Sequence, residues 1–184
     1  MRIRFVSGNR YKIDEVTKIL DALGITVIPL DVKIQELQTK DVQILVRDKV
    51  LKAFDRIGRP LFVEHTGLYL DKLNGFPGGL TQVFWDTLQA DRFAKLFGTI
   101  RTNAIEARTI IGYCDGRLIE FFEGSIRGRV PEEPRGPSRF QWDCVFVPDG
   151  HTETFAEMGD LKNEISMRKL ALEKFAAYLT KGAK

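Results

Sequence analysis

The chain has 184 residues, 43% of them hydrophobic and 29% charged, which is ordinary for a globular protein of one domain with a sizeable core. Its net charge of +3 is too mild to argue for nucleic-acid binding. No apolar run nears the ~20 residues of a membrane span, and two cysteines, Cys114 and Cys144, make no disulfide framework, which suits a reducing cytoplasm.

The opening "RIRFV", residues 2–6, alternates like a strand and is too short an apolar stretch for a signal peptide. "SGNRYK" follows, and Ile13, Val16, Ile19, Leu20 and Leu23 then fall at helical spacing, with Gly24 as the stop. "TVIPL" predicts a second strand, and residues 41–58 an amphipathic helix with Val42, Leu45, Val46, Lys49, Val50 and Phe54 on or near one stripe. "PLFVEH" predicts a third strand, ending in a turn at Thr66 and Gly67. "LDKLNGFPGGL" reads as a loop, and "DRFAKLFG" as a short helix. Residues 103–116 and 117–130 predict two long strands joined at Asp115–Gly116. A loop over 131–140, a strand "WDCVFVP" and a helix over 165–181 complete the order. Strands alternating with helices and then a hairpin indicate α/β, a mixed β-sheet with flanking helices, in a single domain over 1–184.

Several short stretches could carry chemistry. In "SGNRYK", small residues at a strand-to-helix turn let backbone amides approach an anion, with Asn9 as a hydrogen-bonding group and Lys12 as a point charge. A capped turn with a solvated lysine explains the same residues, and the glycine spacing of a P-loop is missing. Glu36 in "IQELQ" reads as a surface residue or a helix-start charge. Glu64 and His65 end an apolar run, although a strand-end histidine is more often structural than catalytic. Arg127, Arg129, Arg135 and Arg139 sit among Gly and Pro as an anion-facing loop or a solvated one. Phe140 and Trp142, before Asp143, could bracket a base or fill a core. Lys162 and Arg168 flank Ser166, which also suits a helix cap.

The order of these stretches is more specific than any one of them. "SGNRYK", "IQELQ", "VEHTGL…LNGFPGGL", "FQWDCVFVPDGHTETFAEM" and "KNEISMR" together resemble the inosine triphosphate pyrophosphatase (Ham1-like) family over nearly the whole chain. That family hydrolyses non-standard purine nucleoside triphosphates to monophosphate and pyrophosphate. The resemblance implies an elongated two-lobed α/β fold with a central cleft, a cytoplasmic homodimer, Mg²⁺ with Mn²⁺ as an alternative, and no membrane or stable nucleic-acid partner. It implies that Ser7, Asn9 and Lys12 bind phosphate and that Glu36 binds metal. His65 stands where the family has an aspartate that ligates metal or activates water. Phe140, Trp142 and Asp143 match the block around the purine, and Lys162 and Arg168 match further substrate-binding positions. Lys12 and His65 are the expected catalytic pair.

Three departures bear on the chemistry. Imidazole at position 65 weakens a Mg²⁺ site, because that ion prefers oxygen. As a base it would lose turnover as pH falls through its free pKa of about 6.5. Glu64 points to the other face of an extended strand, so it can rescue the site only if the strand turns or bulges. Met167 replaces the family's histidine in "SHR", which predicts looser base choice, and Gln141 puts a side chain where the family pattern has glycine. The alternative function is a nucleotide-binding protein of the same fold with weak or no turnover.

Overall fold

A computed structural model describes residues 1–99, 103–138 and 141–181. β1 (Arg2–Val6) lies between β2 (Thr26–Leu30) and β3 (Leu61–Leu70), parallel to both. β5 (Ala104–Cys114) and β6 (Ile119–Arg129) extend the sheet antiparallel beyond β3, and the short β7 (Val147–Pro148) closes that edge. The two-residue β4 (Pro77–Gly78) pairs with the far end of β3 and completes a mixed seven-stranded sheet.

The β2-β1-β3 order decides where a ligand can sit. β1 to β2 steps one way through α1 (Arg10–Ala22), and β2 to β3 steps back the other way through α2 (Val42–Ile57). Parallel crossovers are right-handed, so the two helices cover opposite faces and a crevice opens at the carboxyl end of β1. The cores agree. Phe62 and Ile111 pack with α1 and the last helix, α6 (Met167–Lys181). Leu61, Val63, Ile110 and Cys114 pack with α2 on the other face. A third cluster gathers Trp85 and Phe93 from α3 (Thr81–Phe97), with Trp142, Phe146 and Phe155. The short helices α4 (Phe155–Met158) and α5 (Lys162–Ile165) lead into α6.

The helix ends follow local chemistry. Asn9 caps α1 by accepting from the Lys12 amide at 3.2 Å, and Asp41 caps α2 by accepting from the Ile44 amide at 3.1 Å. Gly58 closes α2 at φ 61, a left-handed geometry that glycine enters without steric cost.

Three expectations need correction. β3 does not turn at Thr66 and Gly67: it runs on to Leu70, because β5 offers an unbroken partner from Leu61↔Cys114 to Leu70↔Ile105. α3 begins at Thr81, ten residues before the predicted short helix, and a break at Gln89 (φ 56, ψ 174) separates its halves. Residues 141–145 form a 3-10 turn and only 147–148 a strand, since the aromatic side chains here are placed by packing rather than by a ladder.

Candidate active site

A cavity of about 550 Å³ lies at the end of β1. Its floor is the turn Ser7–Gly8–Asn9 with Lys12 from α1. Val32, Ile34 and Glu36 from the β2–α2 segment, with Lys49 of α2, form one wall. His65 and Thr66 of β3, Arg168 of α6 and Trp142 form the rest, with Gln82 and Gln141 also on the lining. In the turn, Ser7 Oγ accepts from the Asn9 amide at 3.2 Å. Serine and asparagine therefore brace the backbone that ends at the α1 N-terminus, where partial positive charge favours an anion.

β3 alternates through the site. Glu64 faces α1 and α6: its Oε1 lies 2.7 Å from Lys12 Nζ and its Oε2 3.0 Å from Arg168 Nε. His65 faces α2, with Nδ1 3.7 Å from Glu36 Oε2. The strand neither turns nor bulges, so Glu64 stays beneath the cavity as the anchor of two cations. Burial opposes its charge, yet Arg168 and Lys12 hold its carboxyl well below the usual range.

From Glu64 an alternating series of charges runs through the interior. Arg168 reaches Glu15 as well as Glu64. Glu15 Oε1 receives Lys162 Nζ at 2.8 Å, and Lys162 also meets Asp143 Oδ2 at 2.6 Å. Asp143 and Lys162 do not line the cavity; both are buried in this series, behind the wall that Trp142 presents. Burial raises the Asp143 carboxyl to about 6 against the pull of Lys162.

Glu36 is half-buried, and Lys49 Nζ lies 2.5 Å from its Oε1 while also donating to the Glu64 carbonyl at 3.2 Å. Burial works against the charged form of Glu36, but Lys49, with smaller pulls from His65 and Lys12, keeps its carboxyl below the usual range. Burial, reinforced by Lys12 and Lys49, lowers the His65 imidazole to about 4. His65 is therefore neutral near pH 7. Its Nε2 is buried with no hydrogen-bond partner among the described residues.

Other expectations fall away from the site. Met167 is fully buried in the cluster that holds Ile105, Ala107 and Trp142 and does not line the cavity. Ser166 caps the start of α6 by accepting from the Lys169 amide at 3.2 Å. Arg129 and Arg135 bond to the carbonyls of His151 and Thr152, and neither they nor Arg127 lines the cavity. Arg139 and Phe140 lie outside the described residues. Sequence reasoning missed Lys49 and Glu15 as members of the site. A lysine at i+3 and i+4 from the apolar Val46 and Leu45 was the available signal for the first. The second lies three residues after Lys12, on the same face of α1.

Such an arrangement defines an α/β protein whose cavity is lined by the cations Lys12, Lys49 and Arg168, a helix N-terminus and an indole. A model of the Ham1 family matches residues 3–178, and the chain belongs to that family. It is 37% identical over 181 residues to the dITP/XTP pyrophosphatase of Methanopyrus kandleri, covering 97% of this chain and 96% of the relative. With the inosine triphosphate pyrophosphatase of Saccharomyces cerevisiae it shares 36% identity over 188 residues, covering 96% and 95%. Among solved structures, the Ham1 proteins of Staphylococcus aureus (TM-score 0.78, 20% identity, 100% of both chains) and Coxiella burnetii (0.75, 24%, 98% and 99%) share the fold.

Proposed function

We propose that this chain hydrolyses non-canonical purine nucleoside triphosphates, of the inosine, deoxyinosine and xanthosine type, to monophosphate and pyrophosphate. The observation that carries the reading is the convergence of Lys12, Lys49 and Arg168 with the Ser7–Gly8–Asn9 turn on one cavity; the names of the relatives support the substrate class. Phosphoryl-type displacement needs positioning and charge stabilisation more than covalent help from the protein. The cations neutralise the triphosphate and the departing pyrophosphate, and Ser7 and Asn9 hold the turn against it. Trp142 offers the base an apolar face, joined by Phe140 in this reading, while Asp143 and Lys162 fix that wall from behind. Water attacks the α-phosphorus, the bond to the bridging oxygen breaks, and pyrophosphate leaves.

For a divalent ion the donor set is sparse but compatible. Among the described residues no group of three or more His, Cys, Asp or Glu is placed to hold one, and Glu64 is engaged by Lys12 and Arg168. Glu36 with neutral His65 beside it leaves most positions to phosphate and water, which is how Mg²⁺ is commonly held on nucleotides. Mg²⁺, or Mn²⁺ given the imidazole, would be held by Glu36 and His65 and would supply Lewis-acid charge at the phosphates. His65 then serves as ligand or as the base that accepts a proton from water. We extend the reading to one domain over 1–184 and a cytoplasmic homodimer; no described helix is long and apolar enough to cross a membrane.

The engagement of both acidic residues by lysine or arginine favours one second reading, a nucleotide-binding protein with weak turnover. Pyrophosphate release from a panel of nucleoside triphosphates, with and without Mg²⁺, separates the two. Monophosphate and pyrophosphate as products support cleavage between the α- and β-phosphates; diphosphate and orthophosphate would sink it, and binding with no release would favour the second reading.

A further inference from the structure

Across the solvent side of the cavity, Gln141 Nε2 donates to Gln82 Oε1, joining the turn before Trp142 to the first turn of α3. Both residues line the cavity. Gln82 in turn donates from Nε2 to Asp86 Oδ1 at 2.8 Å. A carboxamide can bond with either end, so its orientation must come from its partners. Here the carboxylate settles it. Asp86 can only accept, so Gln82 turns its nitrogen to Asp86 and its oxygen to Gln141; Gln141 must then answer with nitrogen. Gln141 Oε1 is left as an acceptor of defined orientation. The backbone of Gln141 is at φ 38, a left-handed conformation that glycine enters without steric cost and that side chains rarely adopt.

We infer that Gln141, oriented by Gln82 and Asp86, is a specificity-determining residue of this cavity, its side-chain oxygen accepting from an N–H donor on the bound base. The inference rests on the nucleotide reading and deepens it. A 6-keto purine carries a donor at N1, where adenine carries an acceptor. An oriented acceptor therefore favours the first and leaves the second facing an unpaired oxygen. Gln82 and Asp86 are positioning residues: they act through the polarity of the relay.

The test is the ratio of kcat/KM for inosine triphosphate over adenosine triphosphate in wild type, Gln141→Gly, Gln82→Ala and Asp86→Ala. Each variant should lower the ratio by about five-fold, the effect of one net hydrogen bond. The double variant Gln82→Ala/Gln141→Gly should lower it no further than Gln141→Gly alone, since one relay is broken either way. A merely structural role would slow both substrates alike and leave the ratio unmoved. Ratios within about two-fold of wild type in all three single variants would overturn the inference. Should Gln141→Gly fold poorly, the exposed positions 82 and 86 still decide the matter. Titration with inosine and adenosine monophosphates, read by tryptophan fluorescence, keeps the outcomes distinct. If wild type releases no pyrophosphate, the hydrolase reading falls and the ratio of binding constants decides. A wild-type protein that binds both monophosphates equally overturns the inference.

Discussion

Lys12 reaches a carboxylate that is 2% exposed, so its charge serves the fold as well as any ligand. A solvated lysine in a capped turn could be removed at little cost to stability. Instead, Lys12→Ala should cost about 1–3 kcal/mol in urea unfolding, because Glu64 loses one of its two partners. It should also abolish most pyrophosphate release. Glu36→Ala, at a half-exposed side chain, should lose turnover while staying within about 1 kcal/mol of wild type. Similar loss of folding in both would count against this division. His65 supplies a pH signature. Its unfolded pKa is 6.5 and its folded one about 4, so between those values the unfolded chain binds more protons and stability falls as pH falls. The gap between His65→Ala and metal-free wild type should therefore shift in favour of the variant by up to about 3 kcal/mol from pH 7 to 4. Asp143, held at about 6, gives the opposite trend, but it is present in both proteins and cancels. A gap that does not change with pH would place the folded His65 near its free value.

At the scale of elements, the first turn of α6 is tied to α1 and β3 through one guanidinium. Arg168 is 1% exposed and faces both Glu64 and Glu15. Arg168→Ala takes one cationic partner from each of two carboxylates, which then keep Lys12 and Lys162, and should cost about 3–5 kcal/mol, whereas Lys18→Ala, which breaks an exposed pair with Asp160, should stay within about 0.5 kcal/mol. Comparable losses from the two would refute a buried, cooperative series. The break in α3 makes a second test. Gln89 at φ 56 and ψ 174 occupies a region that is nearly glycine's alone. Gln89→Gly should raise the unfolding midpoint, with a gain of order 1 kcal/mol if the strain is fully relieved; a lower midpoint would mean that the side chain contributes more than the backbone loses. These elements also show what the chain order could reveal. The strands over 2–6 and 26–30, the hairpin over 104–129 and the α2 helix were legible because apolar periodicity and turn or cap residues agree there. The first half of α3 was not: polar Gln82, Asp86 and Thr87 expose one side of a helix whose buried side is sparse, and the glycine-rich approach reads as loop.

For the whole molecule, the cavity draws on segments from residue 6 to residue 168, so a ligand bound there holds many parts of the fold together. Pyrophosphate with Mg²⁺ should therefore raise the melting temperature, by the equivalent of about 2.7 kcal/mol when ligand is a hundred times its dissociation constant. No shift at any concentration would remove the polyanion site. The sequence by itself determined the α/β class, the capped turn before α1 and the family resemblance, because these depend on local periodicity, capping residues and motif order. It also placed Glu64 and His65 on opposite faces, since alternation along an extended strand needs no tertiary information. Only the tertiary structure decided what those faces meet: α1 and α6 bring Lys12 and Arg168 to Glu64, while α2 brings Lys49 beside His65 and Glu36. It likewise placed Met167 in the core, tied Arg129 and Arg135 to backbone carbonyls and lowered the imidazole pKa. The physical reason is the same in each case. Burial and ion pairing depend on distances between residues far apart in the chain, and those distances follow from the crossing of β1 by helices on both faces of the sheet.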